Sequence, residues 1–154
     1  MANTNPGPAV SNSVHPSNLN SQQANRLLFV QKGLSVSAAG DTALPIQNST
    51  AYSVQQIVVA NANISGATAN VSGVNLGLYT QAGQTGTAIY SSTALSSVTS
   101  NAIVAVISPT TTNAQTSQTV YANIAGTPVS GATVDLYVYG YDISPTTLSV
   151  GSAQ

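Results

Sequence analysis

In the run Thr133-Val134-Asp135-Leu136-Tyr137-Val138-Tyr139-Gly140-Tyr141 the aliphatic side chains fall at 134, 136 and 138, with Asp135, Tyr137, Tyr139 and Tyr141 between them. A period of two marks a strand whose successive side chains point to opposite faces. The aliphatics therefore face a core, and the three tyrosines share the other side. The same alternation sets Val120, Ala122 and Ile124, and Val74, Leu76 and Leu78, on the inner side of two further strands. From Leu27 onward, short runs rich in Val, Ile, Leu, Thr and Tyr alternate with clusters of Gly, Pro, Asn and Ser. That grammar predicts strands at 27–31, 34–38, 42–47, 52–60, 74–80, 86–91, 102–108, 118–124 and 133–142.

Thr127-Pro128-Val129-Ser130-Gly131 suits a tight turn, which predicts that the strands at 118–124 and 133–142 pair as an antiparallel hairpin. Residues 94–107 carry two patterns, because Leu95, Val98, Ala102 and Ile103 also fit helical spacing. The reading there is a short turn or helix through 99, then a buried strand. Many short strands with frequent turns imply an all-β protein, a single β-sandwich of jelly-roll-like plan over 27–145. Residues 1–26, with Pro6, Pro8 and Pro16 among Asn, Ser and Gln, read as an extended N-terminal arm, and 146–154 as a C-terminal tail. The 154 residues fit one domain.

Composition changes the picture most through charge. Only 3% of residues are charged, against about 25% in an average soluble protein. The inventory is Arg26, Lys32, Asp41, Asp135 and Asp142, with His15 the single imidazole and no Glu. Two basic side chains cannot neutralise the roughly 6–10 phosphates that a duplex binder contacts, so nucleic acid is excluded as a partner. Anionic membrane surfaces, which demand the same positive charge, are excluded with it. The surface must instead be one of hydroxyls and amides, and net charge near zero leaves little repulsion to keep copies apart. Cysteine is absent, which removes disulfides, thiol catalysis and thiolate metal sites. The longest apolar run, Ala102 to Ile107, is far too short to cross a bilayer. The first residues have neither the basic nor the apolar region of a secretory signal, so synthesis in the cytoplasm without a signal peptide is expected.

Candidate chemistry is scarce. Glycosidases and aspartic proteases need two converging carboxylates, whereas Asp41 reads as a turn residue and Asp135 and Asp142 project from opposite faces of one strand. A Ser-His-Asp site would have to recruit His15 from the Pro-rich arm. Gly83-Gln84-Thr85-Gly86 lacks the Lys of a phosphate loop and leads into no helix. No run of aspartates has calcium-loop spacing. The triplets at Asn48, Asn63 and Asn70 are the number of glycosylation patterns that chance gives a chain this rich in Asn, Ser and Thr. No enzyme activity, cofactor or metal is expected.

Across Val74–Tyr90 and Gly131–Tyr141 the chain resembles the capsid decoration, or cement, proteins and head-fibre proteins of tailed bacteriophages. The resemblance covers roughly residues 52–143 and rests on pattern and composition. It implies a β-sandwich on the outside of an icosahedral head, often trimeric, that binds the major capsid protein and braces neighbouring capsomers. The expected location is the capsid surface of a virion, and the expected partners are the major capsid protein and further copies of the chain. Tyr137, Tyr139 and Tyr141 are the candidate interface residues, with coverage by a loop or the arm of the same subunit as the alternative. Other phage roles (head fibre, neck or tail) and a carbohydrate-binding jelly-roll adhesin are the rival functions.

Overall fold

A computed structural model describes residues 25–47 and 49–144. The arm up to residue 24, with His15, and the tail at 146–154 lie outside the described residues. The strands are β1 (Arg26–Ser35), β2 (Gly40–Pro45), β3 (Tyr52–Ile64), β4 (Ala67–Thr68), β5 (Val74–Gln81), β6 (Thr85–Ala94), β7 (Val104–Ile107), β8 (Thr119–Gly126) and β9 (Ala132–Asp142).

One sheet runs β1-β9-β3, with β7 and β4 both pairing β3, and the other runs β2-β8-β5-β6. Every pairing is antiparallel. Leaving out the two-residue β4, the sheets are β1-β9-β3-β7 and β2-β8-β5-β6, the strand order of a jelly roll. The inward positions read from alternation hold: Val134, Leu136 and Val138 of β9, Val120, Ala122 and Ile124 of β8, and Val74, Leu76 and Leu78 of β5 are all buried. They close one core with Leu34, Ile57, Val59 and Ile89, and Tyr52 lies inside it with its hydroxyl donating to the Ser117 carbonyl at 2.9 Å.

The expected hairpin between 118–124 and 133–142 does not form. β8 pairs β2 and β5, while β9 pairs β1 and β3, so residues 127–131 cross from one sheet to the other. Either arrangement would turn the aliphatic rows of β8 and β9 to the core, and the jelly-roll order places these last two strands in opposite sheets. Gly126 makes the departure possible, since a Cβ there would meet the Gly73 carbonyl oxygen at 2.7 Å and its φ is +75°.

Other boundaries moved as well. Segments 27–31 and 34–38 merge into β1, which bulges between Gln31 and Leu34, where Gly33 takes a φ of +64°. Residues 95–100 form turns, not a helix: Val98 N–H donates to the Leu95 carbonyl, and both side chains are buried. The strand that follows is shorter than 102–108 and not fully buried, because β7 lies at a sheet edge with Ala105 inward and Val104 and Val106 outward. Asp41 lies within β2, not in a turn.

Candidate assembly face

Asp41, Asp135 and Asp142 are the chain's only carboxylate side chains. Each aspartate holds a local bend. Asp135 accepts Gly33 N–H at 2.8 Å and Asn61 Nδ2 at 2.7 Å, tying the bulges of β1 and β3 to the strand between them. Asp41 accepts Gly83 N–H at 2.7 Å and Asn123 Nδ2 at 2.8 Å, which anchors the β5–β6 turn to β2 and β8. Asp142 accepts the N–H and Oγ of Ser144 and pairs with Arg26 Nη2 at 2.7 Å. Gly33, Asn61 and Gly83 all have positive φ, so two of the three carboxylates restrain left-handed backbone.

Burial pushes the Asp142 carboxyl up, but the Ser144 hydroxyl and amide, the Arg26 charge and Ser49 together hold it below the usual carboxylate range. Burial acts the same way on Asp135 and is outweighed by Asn61, the Gly33 amide, Lys32 and the Tyr137 hydroxyl. Both carboxyls are thus ionised braces. Among the described residues no three His, Cys, Asp or Glu side chains group to hold a metal, and no helix is long and apolar enough to cross a membrane.

The outer face of the β7-β3-β9-β1 sheet is of a different kind. Residues opposite one another in antiparallel strands share a face, and the register sets Val106, Val58, Tyr137 and Val30 in one row across four strands. Gln56, Tyr139 and Leu27 form the next row on one side, and Val104, Ala60 and Asp135 the row on the other. Tyr141 continues the stripe opposite Ser53. Tyr137, Tyr139 and Tyr141 are each half-buried, on the face opposite Val134, Leu136 and Val138 as alternation required.

Among the described residues the large exposed hydrophobics are Leu27, Val30, Val104, Val106 and Ile143, and four of these five lie in those rows. Val106 is the most exposed at 64%. Sequence reasoning found the tyrosines but missed the valines, because β7 reads as a continuous apolar run with no alternation to say which side is wet. The outer face of the other sheet carries Ala43, Tyr121, Tyr79 and Ala88 in one row and Asp41, Asn123 and Gly77 in the next. Its polar atoms bond among themselves, as in Gln84 Nε2 to Asn123 Oδ1 at 2.7 Å. Among the described residues, then, four large exposed hydrophobics lie on the outer face of the first sheet and none on that of the second.

A cleft of about 240 Å³ opens between the edges β1 and β2, lined by Leu27 to Gln31, Leu44, Pro45 and Gln47. It holds no convergent charged groups.

No family model, curated protein or solved structure matches this chain.

Proposed function

We propose that this protein is a non-enzymatic structural subunit that works by packing into a larger assembly through the outer face of the β7-β3-β9-β1 sheet. The observation that carries this reading is the alignment of Val106, Val58, Tyr137 and Val30 across four strands. Contiguous apolar surface rimmed by polar residues marks a contact site, whereas singly scattered exposed hydrophobics need no explanation. Tyrosine in such a band offers large, rigid contact area at small entropic cost. The employment of all three aspartates as internal braces supports the non-enzymatic part, because none is left facing a cleft as an acid or base.

The specific assembly follows from the resemblance to phage virion proteins. The chain is proposed as a decoration subunit on the outer surface of a head, contacting the major capsid protein and its own copies. A surface of hydroxyls and amides with a net charge of −1 suits dense packing on a shell. The test uses heads of the encoding virus assembled without this chain. Added protein should bind at a fixed number of copies per capsomer and raise the temperature at which the heads release DNA. Tyr139→Ser should lower occupancy while leaving the strand signal in circular dichroism unchanged. Absence of saturable binding would sink the decoration role.

A further inference from the structure

We propose that the partner of the β7-β3-β9-β1 face is the same face of a second copy, packed sheet on sheet about a two-fold axis that crosses the strands along the Val106–Val58–Tyr137–Val30 row. This inference rests on the reading of that face as an assembly surface and names what covers it.

Two of the sheet edges are blunted against pairing with another strand. Edge strand β1 is broken by register shifts between Leu27 and Phe29 and between Gln31 and Leu34, with the chain's single Lys, Lys32, inside the second. Edge strand β2 carries Pro45, which has no N–H to offer an incoming strand. Bulges, a lysine and a proline are the devices that keep sheet edges from pairing. On the outer face of the second sheet Gln84, Asn123 and Asp41 bond to one another, and among the described residues no large hydrophobic is exposed there. The outer face of the β7-β3-β9-β1 sheet instead offers an apolar band, and two identical bands can meet about a two-fold axis.

The charges select the axis. Asp135 lies two residues from Tyr137 along β9, and Lys32 lies on the same side of the Val30 row in β1. A two-fold axis along the strand β9 would set Asp135 against Asp135 of the second copy. An axis across the strands through Tyr137 instead carries each Asp135 to the opposite end of the face, over Tyr139 of the other copy, whose hydroxyl can donate to the carboxylate. Lys32 then comes to lie over the Leu27 end, where its alkyl stem covers apolar surface. No like charges meet, and all four strands overlap.

Area sets the strength. Four strands ~4.8 Å apart and seven residues rising ~3.3 Å each give a face of roughly 19 by 23 Å, about 440 Å². A standard specific interface takes about 800 Å² from each partner, so this pair is weak on its own and forms at high local concentration. A two-fold contact also cannot close a ring of three. Where the subunits form trimers through other surfaces, this pair links neighbouring trimers.

Two measurements test the arrangement on the full chain. In sedimentation velocity from about 10 μM to about 1 mM, the wild-type sedimentation coefficient should climb from monomer toward dimer. Val106→Lys, at an exposed site where the fold is not at stake, should raise the dissociation constant at least tenfold. The chain has no cysteine, so single introduced thiols report without background. Residues on the axis row meet their own counterparts, so Val106→Cys and Val30→Cys should crosslink into dimers with a short bifunctional thiol reagent. Val104→Cys, one row away, and Ala43→Cys, on the other sheet, should not. A wild-type chain that stays monomeric at 1 mM overturns the proposal, as does equal crosslinking at Ala43. Binding to heads that survives such a result would leave the decoration role standing and assign the face to the capsid protein instead.

Discussion

Gly140 lies near the C-terminal end of β9, where the strand is paired on both sides, to Arg26 of β1 and Val54 of β3. A Cβ added there would collide with the Ser53 carbonyl oxygen, with Leu28 Cδ1 at 2.8 Å and with the Ser53 carbonyl carbon at 2.9 Å. Leu28 can rotate, but Ser53 is backbone of the neighbouring strand, so relief requires β3 and β9 to separate at the bulge between Val54 and Gln56. Overpacking relieved by side-chain and backbone shifts costs about 1–3 kcal/mol, and a backbone clash belongs at the upper end. At ~2–4 °C per kcal/mol for a domain of this size, Gly140→Ala should lower Tm by roughly 6–12 °C. Gly83→Ala is the comparison, because its site is open and only its φ of +70° opposes a side chain. That strain is worth about 1–2 kcal/mol. Thermal melts checked by urea midpoints would decide the matter. A Gly140→Ala protein within 2 °C of wild type, or one more stable than Gly83→Ala, would refute the packing argument.

Acid should weaken the fold through Asp135 and Asp142. Their folded-state pKa values are depressed, so their contribution is present above the unfolded value near 4 and is lost as pH falls through the folded values. Asp142→Asn should flatten the acid limb of a stability–pH curve, and an unchanged limb would contradict the brace at the β9 terminus. Alkali acts through Tyr52, which burial pushes up to about 12 from its ordinary 10.0. The folded state then holds a proton that the unfolded chain releases, so stability falls as pH rises from about 10 toward 12. Tyr52→Phe should remove that alkaline loss while costing about 1–2 kcal/mol at neutral pH, since the Ser117 carbonyl loses its donor; denaturant titrations at pH 7 and 11 read both effects. Self-association and head binding should change little between low salt and about 1 M sodium chloride, where the Debye length is only ~3 Å, because 3% charge leaves few Coulomb terms to screen.

The sandwich was legible wherever aliphatic residues alternate with polar or aromatic ones. In β5, β8 and β9 the alternation named the inward side chains correctly, because each strand has one face on the core and one outside it. Pairing was not legible, since period-two patterning says which face is buried and nothing about which neighbour completes the sheet. The Pro-Gly stretch at 128–131 looked like a hairpin loop, yet the same residues bridge two sheets. A jelly-roll order already forbids its last two strands from pairing, so the expected hairpin and the expected fold were in conflict, and the fold prevailed. The two-residue β4 went unread although Ser65 and Gly66, both at positive φ, form its turn. For the face, the tyrosines of β9 were legible from alternation. Val30, Val58 and Val106 were not, because their alignment arises only from the register of four strands that lie far apart in the sequence.

The most direct test is a cryo-electron microscopy map of heads purified from cells that produce the chain. Density for the sandwich is expected on the outer surface, with Val106, Tyr137 and Val30 buried against a neighbouring subunit. Heads that carry no such density, or carry it with that sheet facing solvent, would contradict the proposed role.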